Sequence, residues 1–137
     1  MKYYNIFIDG IDKAGKDLIA YYVIHLSNFK YIVNGRGILS QLAYAKLYNR
    51  NDAYDLTQQK SIINVYLEVD KEDWLLRCKK TDEPVIDYEK NVEAFQYAIN
   101  VLNKAYNVIC FNTSQEAPYM IAKHIVDYVD SLNKKED

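Results

Sequence analysis

A chain of 137 residues, half of them apolar, carries enough nonpolar surface for one core of its own. Its 17 Lys and Arg against 19 Asp and Glu leave a net charge of −2, without the basic excess that dominates nucleic-acid affinity, so no nucleic-acid partner is expected. No apolar run reaches the length of a bilayer span, and Lys2 leads into a strand pattern rather than a secretory leader.

The apolar run over residues 3–9 predicts a first strand, and Gly10-Ile11-Asp12-Lys13-Ala14-Gly15-Lys16-Asp17 comes directly after it. A helix is predicted over 16–27, with Leu18, Ile19, Tyr22, Val23 and Leu26 on its inner face. The second strand, over 30–33, runs into Asn34-Gly35-Arg36-Gly37, and a helix over 38–48 turns Ile38, Leu39, Leu42 and Ala45 inward. The third strand spans 62–68. Asp70-Lys71-Glu72-Asp73 then offers an N-cap and an acidic first turn to a helix bearing Trp74, Leu75 and Cys78, and Pro84 breaks the helical pattern beyond it. A helix over 88–105 presents Val92, Phe95, Ile99 and Leu102. The fourth strand, over 107–111, places Cys110 in the core, and the last helix, over 117–132, presents Ile121, Ile125, Tyr128 and Val129. Residues 133–137 form a charged, frayed tail behind a single domain over 1–132.

Strands alternating with helical segments imply a parallel sheet flanked by crossover helices, an α/β fold of three layers. Cys78 and Cys110 sit far apart in no C-x-x-C or Cys/His cluster, as expected of reduced thiols in a cytoplasmic protein. His25 and His124 fall on helices, far in sequence from any acid or thiol partner, and read as packing or surface residues.

The stretch from Gly10 to Lys16 has the G-x-x-x-x-G-K form of a Walker A loop. Between a strand and a helix, such a loop points successive backbone N–H groups into one concavity, where they and the helix N-terminus hold phosphate while a lysine neutralises its charge. The residue after the lysine should be Ser or Thr to ligate Mg²⁺; here it is Asp17. All four glycines stand at the ends of the first two strands, where open α/β sheets place their ligands.

Three segments together resemble the thymidylate kinase branch of the nucleoside monophosphate kinases. Residues 6–16 are similar to that family's first strand and phosphate loop, Arg36-Gly37-Ile38-Leu39-Ser40-Gln41-Leu42-Ala43-Tyr44 to its D-R-x-x-x-S-x-x-A-Y segment, and Val65-Tyr66-Leu67-Glu68-Val69-Asp70 to a later strand. The likeness continues through Arg77 into a lid-like stretch with Lys79, Lys80 and Asp82. It implies a P-loop kinase that binds ATP and Mg²⁺ and transfers the γ-phosphate to a nucleoside monophosphate or similar acceptor. Gly10, Asp12, Lys13, Ala14, Gly15, Lys16, Asp17 and Arg77 would bind the nucleotides, with Asp17 as metal ligand. Lys16, Lys13, Asp9 and Arg36 would form the catalytic set, Arg36 gripping the acceptor phosphate and Asp9 orienting substrate or metal.

The chain departs from that pattern at two places besides Asp17. Gly35 replaces the Asp that precedes the arginine, and 27–31 leaves room for a turn where the family carries part of its acceptor pocket. Asp17 could ligate the metal directly, or its charge could occupy the positive helix end that phosphate would use. The alternative to an enzyme is therefore a degenerate kinase fold serving as a nucleotide-binding or protein-interaction module. Family members pair through helix faces; the apolar residues of 38–48 would suit a homodimer, and core burial explains them equally well.

Overall fold

The computed structural model describes residues 2–50, 56–81 and 87–135. Four strands, β1 (Asn5–Gly10), β2 (Ile32–Gly35), β3 (Ile62–Glu68) and β4 (Val108–Asn112), form one sheet in the order β2-β1-β3-β4. Every ladder is parallel, with Ile6 opposite Val33 and Ile63, and Val65 opposite Ile109. Among the described residues, four helices connect them, α1 (Lys16–Leu26), α2 (Ile38–Leu47), α3 (Lys71–Thr81) and α4 (Tyr88–Leu102), and a fifth, α5 (Pro118–Lys135), follows β4. A 3₁₀ turn, Leu56–Ser61, which the periodicity did not announce, leads into β3.

The chain steps from β1 one way to β2, then crosses back over β1 to β3 and on to β4. Right-handed crossovers put helices for opposite steps on opposite faces, and α1 packs with α5 while α2 packs with α4. The expected three layers result. The core has its largest buried side chains in Trp74, Tyr66 and Phe95, with Ile6 and Ile8 of β1 fully enclosed between the layers. Reversal of direction after β1 opens a crevice at the carboxyl ends of β1 and β3, the place where such sheets hold ligands.

The inner face of α2 is as expected, with Ile38, Leu39, Leu42 and Ala45 all buried. Three other expectations need correcting. Leu18 is 48% exposed rather than inward, because it faces an open hollow beside the helix, and Leu75 is 37% exposed because α3 rests on the core only through Trp74 and Cys78. Cys110 is exposed, since β4 is an edge strand whose faces are incompletely covered; Cys78 is the buried thiol.

The tail is also shorter than expected: α5 continues to Lys135, and Asn133 is buried. Its amide accepts from the Tyr3 N–H at 2.7 Å and donates to the Tyr3 carbonyl at 2.9 Å. Nearby, Asp130 accepts from the Tyr31 hydroxyl and from Lys30 Nζ at 2.9 Å, tying α5 to the start of β2. Residues 136 and 137, Pro84 and Asp82 lie outside the described residues.

Candidate functional site

The site grows from the turn between β1 and α1. Gly10 ends β1 against Leu67 of β3, and a Cβ there would lie 2.8 Å from the Leu67 carbonyl oxygen, so only glycine lets the two strands approach as they do. The chain then turns, the Ala14 N–H donating to the Ile11 carbonyl at 3.1 Å while Ile11 and Ala14 are buried beneath the loop. Lys13 at φ 69° and Gly15 at φ 92° both occupy the left-handed region, which bends the loop round the head of α1. Gly15 is the N-cap of α1 and supplies no side-chain bond to the first-turn N–H groups, which remain open to an anion. Lys16 Nζ donates to the Gly10 carbonyl at 3.3 Å, bringing the ammonium back over its own loop.

A second turn faces the first across the crevice. Arg36, at φ 55°, sits between β2 and α2. Asp9, expected to meet substrate or metal, is fully enclosed, and its Oδ1 accepts from the Gly37 N–H at 2.9 Å and from the Ser40 hydroxyl. Burial raises its pKa, while Ser40, the backbone amide of Gly37 and the Lys16 charge oppose the rise. Asp9 thus holds the N-terminus of α2, and with it the Arg36 turn, from the end of β1. The second oxygen, Oδ2, is buried with no hydrogen-bond partner among the described residues.

From the far side α3 reaches the loop. Trp74 Nε1 donates to the Asp12 carbonyl at 2.9 Å, and Arg77 Nη1 donates to the Lys13 carbonyl at 2.7 Å and to Thr113 Oγ1 at 3.2 Å. Thr113 is fixed in turn by its N–H and hydroxyl, both donating to the Glu68 carbonyl at the end of β3.

Three open hollows meet at this loop. One of about 640 Å³ is lined by Asp12, Lys13, Gly15, Lys16, Asp17 and Arg36. Another, of about 630 Å³, shares Asp12 and Arg36 with it and extends between α2 and α4 past Tyr44, Tyr48, Lys90 and Asn91. A third, of about 420 Å³, adjoins Gly15 on the other side and is walled mostly by apolar groups, among them Leu18, Ile19 and Pro118, beside Arg77 and Thr113. The exposure of Leu18 is explained by that wall.

Asp9, Asp12, Lys13, Lys16, Asp17, Arg36 and Arg77 therefore converge on one crevice, although Asp9 is enclosed beneath it and Arg77 is tied to the loop backbone at the wall of the third hollow. Sequence reading missed Thr113, Pro118, Lys90 and Asn91 as site walls, because a lone Thr, Pro, Lys or Asn far along the chain carries no local signal. The two histidines take no part in the loop: His25 packs on Tyr21 at 4.3 Å, and His124 Nε2 lies 3.5 Å from Glu116 Oε2. Among the described residues, no three His, Cys, Asp or Glu side chains gather where they could hold a metal, and no helix is long and apolar enough to cross a membrane.

No protein-family model matches the chain, and no curated protein is similar to it in sequence. Among solved structures it resembles the crystal structure of YorR from Bacillus subtilis in complex with phosphorylated GDP, at a TM-score of 0.73 and 17% identity, over 92% of this chain and 95% of that one. A likeness at that identity establishes a common fold: this chain has the fold of a protein crystallised with a nucleotide.

Proposed function

We propose that this chain is a minimal nucleotide kinase of thymidylate-kinase-like type, which binds ATP with Mg²⁺ at the glycine loop and transfers the γ-phosphate to a nucleoside monophosphate or a similar small acceptor. The observation that carries the reading is that two hollows of comparable size meet at Asp12 and Arg36, one against the loop and the other between α2 and α4. A transferase needs that arrangement: two ligands whose reacting ends share one boundary. The third hollow, apolar and next to Arg77, suits the base of the donor, and the nucleotide in the YorR structure favours a nucleotide as ligand.

The residues present fit a triphosphate. The open N–H groups at the head of α1, Lys16 and Lys13 lie around a hollow large enough for one, and Gly15 leaves its Cβ position clear of everything nearer than 4.0 Å. Mg²⁺ when bound would offset phosphate charge, held by Asp17, a carboxylate on that rim, together with phosphate oxygens and water, which is how this ion is usually bound. All remaining tasks fall to the chain. Lys16 and the loop amides orient the donor, Arg36 draws the acceptor phosphate to the shared boundary, and Asp12 faces both hollows, where it can accept from an acceptor hydroxyl. An oxygen of the acceptor phosphate attacks the γ-phosphorus as its bond to the departing diphosphate breaks, and Lys13, Lys16 and Arg36 stabilise the charge spread over the transferring oxygens. A phosphate acceptor is already ionised at neutral pH, so no general base is required.

A second reading is favoured by one specific pair of residues. Asp17 adds negative charge at the phosphate-binding end of α1, and Gly35 removes the family's carboxylate beside Arg36; a chain so altered could bind a nucleotide, or a protein, without turning it over. Calorimetric titration of ATP with and without Mg²⁺, paired with a coupled assay of ADP release across nucleoside monophosphates, separates the two. Metal-dependent binding with turnover of at least one acceptor is expected. Binding without turnover on any of them would replace the kinase by the nucleotide-binding module, and no binding of ATP would remove both nucleotide readings and leave the protein-interaction module.

A further inference from the structure

Trp74 is the chain's single tryptophan and is 1% exposed, in the body of the core. An indole buried there needs a partner for its N–H, and it takes one from the functional crevice rather than from the core: the Asp12 carbonyl, at 2.9 Å. One helical turn later, Arg77 takes the next carbonyl, that of Lys13, at 2.7 Å. The two peptide planes on either side of Lys13 are therefore both held from α3. Lys13 itself stands at φ 69°, a conformation unfavourable for a residue with a side chain, which persists only where its surroundings impose it.

A planar peptide directs its N–H opposite to its carbonyl. Drawing the Asp12 carbonyl toward α3 thus turns the Lys13 N–H away from α3, and drawing the Lys13 carbonyl the same way turns the Ala14 N–H back under the loop, where it meets the Ile11 carbonyl. The indole is itself braced. Tyr88, at the start of α4, packs on it with ring centres 5.3 Å apart and is anchored by donating its hydroxyl proton to the Val69 carbonyl at 2.7 Å.

We propose that Trp74 is a positioning residue of the glycine loop, its indole N–H holding the 12–13 peptide so that the loop amide and side chain of Lys13 are set for a phosphate before one arrives. The effect on ligand affinity rests on the nucleotide reading above; the effect on the loop does not.

The test replaces Trp74 by β-(3-benzothienyl)alanine, which keeps the bicyclic shape and puts sulfur where the N–H was, so that packing is preserved and the donor alone is lost. Amide hydrogen exchange of the full-length protein, read by NMR without ligand, should quicken at Ala14, whose N–H is held on the Ile11 carbonyl, while the β1 and β3 amides exchange as in the wild type. Calorimetry with ATP and Mg²⁺ should show the dissociation constant raised about 2- to 12-fold, the loss of one net hydrogen bond. Loop amides that exchange as in the wild type would overturn the proposal, whatever the affinity. Altered loop exchange in a protein whose wild-type form binds no ATP would uphold the positioning role and remove the nucleotide reading instead. Trp74→Phe, which also lacks the donor but is smaller, provides a second comparison: its loop exchange should match that of the sulfur analogue.

Discussion

Gly10 and Gly15 bracket the loop, and the structure predicts that replacing each by alanine fails for a different reason. At Gly10 the added Cβ would stand 2.8 Å from the Leu67 carbonyl oxygen and 3.0 Å from the Ala14 Cβ. The first is backbone in a paired strand and cannot swing aside, so β1 and β3 must spread where Gly10 faces Leu67. Overpacking of that kind costs about 1–3 kcal/mol. At Gly15 the Cβ would meet nothing nearer than Arg77 Nη1 at 4.0 Å, and the cost is conformational, from φ 92°. That left-handed penalty is about 1–2 kcal/mol, reduced by the 0.4–1 kcal/mol or so that alanine gains by restricting the unfolded chain. Gly35 supplies the control: its Cβ would have only the Ile8 carbonyl at 4.0 Å and its backbone is ordinary, so Gly35→Ala should change stability by roughly 0.5 kcal/mol or less. Urea unfolding with a common slope should rank the variants Gly10→Ala, Gly15→Ala, Gly35→Ala in falling order of damage. A Gly10→Ala protein as stable as the wild type, or a Gly35→Ala protein as damaged as Gly10→Ala, would refute the close approach of β1 and β3 at the loop.

Burial raises the pKa of Asp9, so the folded state holds that proton more tightly than the unfolded one; its contribution is most favourable below the ordinary carboxylate range and declines as pH rises through the window up to the raised value. Asp9→Asn keeps an acceptor for Gly37 and Ser40 and should flatten that decline in urea unfolding measured from pH 4 to 8; an unchanged slope would place the titration elsewhere. Asp130 has the opposite sign: although partial burial opposes ionisation, hydrogen bonds from Tyr31 and Lys30 outweigh it and lower its pKa, so its stabilisation is present above the unfolded value and lost as pH falls through the folded one. Asp130→Asn should therefore cost stability at pH 7 and much less at pH 3, by about 1 kcal/mol or less for so exposed a pair, and equal losses at both would contradict the assignment. Asp17→Thr should tighten ATP binding most when Mg²⁺ is absent, the ceiling being about 4 kcal/mol for like charges 4 Å apart at an intermediate dielectric, or about a thousandfold. Equal affinities for wild type and variant without metal would show that Asp17 does not face phosphate.

Much of this molecule was legible because its signals are local. Gly10 to Lys16 between an apolar run and an amphipathic helix declares a strand, a loop and a helix, and the five helical and four strand segments lie within a few residues of where the hydrophobic spacing puts them. Spacing says only which face is apolar, however, and that is why Leu18, Leu75 and Cys110 were misplaced. Whether an apolar face meets the core depends on whether a neighbour covers it, as the open hollow beside Leu18 and the open edge at β4 make plain.

The site divides along the same line. Lys16, Asp17 and Gly15 are bound to one another by sequence, so their grouping was fixed before folding. Arg36, Trp74, Arg77 and Thr113 come to the loop from three other connections, through a parallel topology in which strands far apart in the chain end side by side. Tertiary structure alone turned Asp9 from an expected ligand contact into the buried anchor of the Arg36 turn, because a carboxylate at a strand end meets whichever helix N-terminus the crossover sets beside it. The local pattern determined that a strand, a glycine loop and a helix follow one another; the packing of distant elements decided how that loop is held and what opens onto it.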